Sequence, residues 1–223
     1  MTYTTRGEES TRGSENEQQE DSLLPMEFLE WQRESRIALM RLIQGSGERV
    51  RSMPSHLPVL ASLSEDGSIN LATKGIGLIP KPGLLAETTR EFRQVAQSLR
   101  DRPPGDTATE RMAALLKFYD GVDNFDPSIL GGLEIFEGVT HTNLVRDPRL
   151  SLLFTGEAPD FRSYQIDGVV RFVRQGDPYY EFLHAARELF ARDRFHVVQD
   201  SYPHGYIVHV TSVRTKTPFS RRP

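Results

Sequence analysis

The chain has 223 residues, enough for one large or two small domains with a substantial core, and a formal net charge of −4. That charge lies in residues 1–21, where two arginines face six acids, while the other residues balance 25 basic against 25 acidic side chains. A basic field that would attract nucleic acid is therefore excluded. With no cysteine there is no disulfide, thiolate nucleophile or cysteine metal site. No apolar run approaches a bilayer span and the polar amino terminus has no signal-peptide core, so a cytoplasmic protein is expected.

Residues 1–21 are rich in Thr, Glu, Ser, Gln and Gly and predict a disordered acidic tail. Residues 22–223 are expected to form a single domain. Leu24, Phe28, Trp31, Ile37, Met40 and Ile43 recur as a helical stripe, Pro25 suits a first turn and Gly45 a stop. An amphipathic helix covering a sheet follows. Arg49 and Arg51 lie in the loop beyond it, as solvated charges or a phosphate contact.

Residues 57–64 and 69–75 predict a β-hairpin turning at Asp66-Gly67. In the second strand Asn70, Ala72 and Lys74 point one way and Ile69, Leu71 and Thr73 the other. Lys74 and Thr73, followed by the flexible Gly75, place an ammonium, a hydroxyl and an approachable backbone at one strand end, a combination suited to phosphate. Residues 76–83, with two prolines and two glycines, predict a turn.

Residues 88–120 read as a helical hairpin inserted into a β protein. Phe92, Val95, Ala96 and Leu99 form one stripe, and Met112, Leu115, Leu116 and Tyr119 another. Thr107 and Glu110 have capping-box spacing. These faces are core in the simplest case, or a lid or dimer surface. Gly131-Gly132 ends the insertion on this reading, and residues 133–136 form a short strand.

Residues 138–149 then give a turn and a short helix that Pro148 stops. Thr140 and Thr142 can cap it, with amide groups behind them at the favourable end of the helix dipole for an anion. This is a second phosphate-ready cluster. Strands are expected at 150–154, 163–173, 194–199 and 205–213, with a helix from Asp177-Pro178 that carries Tyr180, Leu183 and Phe190.

Two such clusters, Asn70 to Lys74 (N-L-A-T-K) after an Asp-Gly turn and T-H-T-N-L-V-R-D-P-R-L-S-L from Thr140, are the point of resemblance. The chain resembles the split β-barrel flavoproteins of the pyridoxamine 5'-phosphate oxidase-like superfamily over residues 55–80 and 131–213. The resemblance implies an α+β fold, a six-stranded antiparallel split β-barrel with peripheral helices, in which residues 88–120 are an inserted helical hairpin. It implies a homodimer with flavin mononucleotide (FMN) between the subunits, contacted by Asn70, Leu71, Ala72, Thr73, Lys74, Thr140, His141, Thr142 and Asn143. It further implies an oxidoreductase acting on a small organic substrate, aromatic or conjugated, with NADH or NADPH as reductant or oxygen as acceptor.

Two departures matter. His141 stands where relatives carry Arg or Lys, either touching flavin or lying at the surface. The carboxyl end lacks the Trp- and Arg-containing segment of the vitamin B6 oxidases, since Trp31 is the only tryptophan. Vitamin B6 synthesis is not implied. The alternatives are a haem- or flavin-binding protein without turnover, for which His204, His209 or His141 could be axial ligands, and a deazaflavin-dependent reductase. Tyr202 and His204 read as part of a structural turn and His209 as a wall residue. The six histidines form no metal-ligand or Ser-His-Asp spacing.

Overall fold

The computed structural model describes residues 23–45, 55–156, 161–190, 199 and 201–218. The acidic tail, Arg49 and Arg51, and the strand expected at 194–199, apart from Gln199, lie outside the described residues. Among the described residues five α-helices and seven strands follow one another: α1 (Met26–Ile43), β1 (Val59–Leu63), β2 (Ile69–Thr73), β3 (Gly77–Pro80), α2 (Pro82–Ser98), α3 (Ala108–Phe118), β4 (Phe125–Leu133), α4 (Val139–Arg146), β5 (Arg149–Thr155), β6 (Ser163–Val173), α5 (Pro178–Phe190) and β7 (Gly205–Thr215). The strands form one antiparallel sheet in the order β2-β1-β5-β6-β7-β4-β3. Six strands were expected and seven are present among the described residues, with β2 and β3 as the two edges.

The additional strand is β3, which the glycines and prolines of residues 76–83 disguise as a turn. Pro80 can occupy it because β3 is an edge, where a missing N–H breaks no central ladder. A second correction concerns residues 133–136. The strand lies upstream, as β4, so Gly131 and Gly132 are inside it and pair with Ile207 and Tyr206. Glycine is needed there: a Cβ on Gly132 would lie 2.1 Å from the Gly75 carbonyl oxygen. The Thr107 side chain makes no cap and instead accepts from Arg111 Nε at 3.2 Å.

The β1–β2 hairpin turns as its sequence dictates. Gly67 takes φ +82°, the left-handed conformation that favours glycine, and Asp66 accepts from the Ser68 amide at 2.9 Å. Helix α1 lays Phe28 against Phe154 of β5 and Tyr164 of β6, with ring centroids 5.1 and 5.3 Å apart. Trp31 joins the same cluster. The helical insertion starts earlier than residue 88, at Pro82, and runs through α2 and α3. Its apolar faces are core: Phe92 stacks on Phe182 of α5, and Phe118 meets both. Arg111 donates to the Leu189 carbonyl at 2.6 Å, tying α3 to the last turn of α5. None of the helices of the described residues is long and apolar enough to cross a membrane.

Candidate functional site

Two sequence motifs some seventy residues apart meet where α4 crosses the β1–β2 hairpin. Asn70 extends from β2 and donates from Nδ2 to Thr140 Oγ1 at 3.0 Å, while Asn143 donates to Ser62 Oγ and Ser64 Oγ, both at 3.2 Å. Helix α4 presents Thr140, Asn143 and Leu144 inwards because its 3.6-residue period places them on one face. Gly138 is its N-cap and no side chain caps it; Thr142 donates back to the Gly138 carbonyl at 3.4 Å. The helix ends before Pro148, where Arg149 hydrogen-bonds the Asp147 carboxylate and holds its pKa down to about 2.

Lys74 lies just past β2 and its ammonium is already engaged. It donates to both carboxylate oxygens of Glu134, at 2.6 and 2.7 Å, in a pair whose side chains are 16% and 7% exposed. Glu134 leaves β4 with its own amide bonded to the His204 carbonyl at 3.0 Å. Tyr206 lies beside the pair, with burial first and the Glu134 charge second raising its phenol pKa. Of the nine residues expected to contact a cofactor, Asn70, Thr140 and Asn143 are therefore tied to the scaffold and Lys74 to a carboxylate. Leu71, Thr73 and Thr142 are exposed, and Ala72 is half-buried.

His141 is turned towards His204, not outwards to solvent. The two imidazoles lie with centroids 4.5 Å apart and planes tilted by 32°, and Phe172 meets both edge-on. Glu137, four residues before His141, places a carboxylate oxygen 3.3 Å from His204 Nδ1 and 3.9 Å from His141 Nε2. His204 is 2% exposed. Burial, then the neighbouring His141, lowers its pKa below the ordinary imidazole value and favours the neutral ring. Sequence spacing missed this group because His204 enters from the other end of the chain. The i, i+4 step from Glu137 to His141 was its one local signal.

One face of the sheet beside this site is apolar and exposed. Leu63 pairs with Ile69, Ala61 with Leu71, and Val59 with Leu153, so three strands present a continuous strip. Ile69 is 71% exposed and Leu71 64%. Behind the end of β2 an apolar cavity of about 160 Å³ is lined by Gly75, Gly132, Leu133, Phe182 and Tyr202, among others. A larger groove of about 710 Å³ runs along the outer side of the packed α2 and α5, and none of the nine expected contact residues lines it.

No family model and no curated protein matches the chain. Solved structures similar to it include HupZ of Group A Streptococcus, at 15% identity over 73% of this chain and 86% of that one, with a TM-score of 0.42. An F420 reductase is similar at 12% identity, over 71% of this chain and 90% of that one, with a TM-score of 0.40. A Listeria innocua protein assigned as a pyridoxamine 5'-phosphate oxidase is similar at 10% identity, over 81% of this chain and 97% of that one, with a TM-score of 0.41. These likenesses concern the course of the chain and extend to no individual residue.

Proposed function

We propose that the chain is a flavin-dependent oxidoreductase of the split-barrel type, which binds FMN between two copies of itself and acts on a small organic substrate, aromatic or conjugated. The observation that carries this reading is the meeting of the N-L-A-T-K strand and the T-H-T-N-L helix through Asn70 and Thr140. FMN makes three demands on a protein: an apolar slot for the ring, polar groups at the ring edge, and donors for the phosphate.

Candidate groups for the first two are present among the described residues. Ile69, Leu71 and Val139 are exposed apolar side chains, and β2 is an edge strand whose outer N–H and C=O groups are open for pairing. For the phosphate, the hydroxyl of Thr73 and the amide groups at the start of α4 are the donors that fit, whereas the Thr142 hydroxyl donates to the Gly138 carbonyl. Lys74 does not fit as a free cation, because Glu134 neutralises it. When bound, the flavin supplies the redox chemistry, and the chain's own part is to orient it and exclude water.

The apolar strip over β2, β1 and β5 supports the homodimer, since a second copy would bury it. A reduced nicotinamide is the proposed electron donor. The test is an absorption spectrum of the freshly purified protein, followed by heat release and mass identification of the cofactor. Flavin bands with FMN released at one equivalent per chain are the expected result. A Soret band, or a colourless protein that takes up no added FMN, would overturn the reading.

A further inference from the structure

We propose that Glu137, His141 and His204 form a binding site for one divalent transition-metal ion of the zinc class. Such a site is independent of the flavin reading. One ligand atom from each of the three lies within 4.8 Å of the others. Bonds of about 2.0–2.1 Å in tetrahedral geometry would hold such atoms roughly 3.3 Å apart. His204 Nδ1 already stands 3.3 Å from the Glu137 oxygen, and His141 Nε2 stands 3.9 Å from it. Closing the site asks only for a small rotation of the partly exposed His141 and of Glu137, whose side chain is 54% exposed.

The state of the His204 ring bears on the site. His204 is almost wholly buried, and its Nε2 has no hydrogen-bond partner. Leaving a buried imidazole so poorly satisfied is unfavourable unless something else offsets it. A metal bond at Nδ1 would offset that cost through the ring's other nitrogen; Nε2 then carries the proton and stays without an acceptor. A neutral His204 that donates Nδ1–H to Glu137 is the competing arrangement; it leaves Nε2 as a buried lone pair without a donor, and the zinc titration below separates the two. Phe172 meets both rings edge-on and keeps them beside each other.

The donor set selects the ion. Two imidazole nitrogens and one carboxylate suit Zn²⁺, Fe²⁺ or Co²⁺, whereas Mg²⁺ and Ca²⁺ require mostly oxygen ligands. Three protein ligands with the carboxylate open to solvent leave a fourth position for water or a substrate oxygen.

The full chain, stripped with chelator and dialysed, is titrated calorimetrically with ZnCl2 and separately with MgCl2. Cobalt(II) is added in parallel and followed by its visible absorption. One zinc per chain at micromolar Kd or tighter is expected, with a tetrahedral cobalt spectrum and no response to magnesium. Glu137→Gln and His141→Gln change exposed or half-exposed groups and keep the fold; each weakens zinc by roughly tenfold or more. Flavin content is measured in the same samples, and the zinc stoichiometry is expected to be the same whether or not flavin is present. Absence of zinc binding in the wild type, or unaltered affinity in both variants, would overturn the assignment, the latter by placing the ion on other histidines.

Discussion

Replacing Lys74 with Met removes the donor to a carboxylate that is only 7% exposed. Both Glu134 oxygens then lose their hydrogen bonds from Lys74, at 2.6 and 2.7 Å, inside a wall that includes the buried Tyr206. Removing one partner of a buried pair costs about 3–5 kcal/mol, because the remaining charge is left without compensation. For a domain of this size that lowers Tm by roughly 6–20 °C. The double variant Lys74→Met/Glu134→Leu removes both charges and should return to within about 1 kcal/mol of the wild type. Urea unfolding reports both values through Trp31, the only tryptophan, packed between Phe28 and Tyr164. A loss below about 1 kcal/mol for Lys74→Met, the range of a solvent-exposed pair, would refute this account of the pair.

Other outcomes follow from the same contacts. Gly132→Ala would push a Cβ to 2.1 Å from the Gly75 carbonyl, a backbone atom that cannot rotate away, so a loss of about 3 kcal/mol or more is expected by urea unfolding. Asn143→Leu leaves Ser62 and Ser64 without their shared donor and should cost about 1–3 kcal/mol, with the β1–β2 hairpin amides exchanging faster by NMR. Leu71→Glu puts a charge on the exposed apolar strip; its far-ultraviolet circular dichroism should match the wild type while light scattering reports a monomer with reduced FMN content.

Asp167 provides the pH dependence. Burial raises its pKa, but hydrogen bonds from Ser151, Gln165 and Ser212 and the charge of Arg214 outweigh burial and leave it below the usual carboxylate value. A depressed folded pKa means that the unfolded chain binds more protons as pH falls, so this stabilisation is complete above the unfolded Asp pKa and is lost as pH falls through the folded one. Asp167→Asn should flatten the acid limb of the urea midpoint against pH, and an unchanged limb would contradict the assignment.

Much of the secondary structure was legible because its determinants are local. Asp66-Gly67 specifies a turn within five residues, the stripe of Phe28, Trp31 and Met40 specifies a buried helical face, and Ser163–Val173 alternates with period two. β3 was not legible: Gly77 and Pro80 carry turn chemistry, and only the pairing of this edge with β4 makes the segment a strand. The site divides in the same way. The N-L-A-T-K and T-H-T-N-L segments were legible as two separate polar clusters, one ending a strand and one opening a helix; that they meet, through Asn70 and Thr140, is a property of the folded chain.

Tertiary structure alone decided what those residues touch. Lys74 finds Glu134 across sixty residues, and His204 reaches His141 and Glu137 because β7 pairs with β4 and β6. Periodicity and turn chemistry act within one turn or one hairpin, whereas the partner of a buried charge is chosen by the order in which strands pair. That order, β2-β1-β5-β6-β7-β4-β3, is the property of the whole sheet that brings the lysine, the two glutamates and the two histidines together.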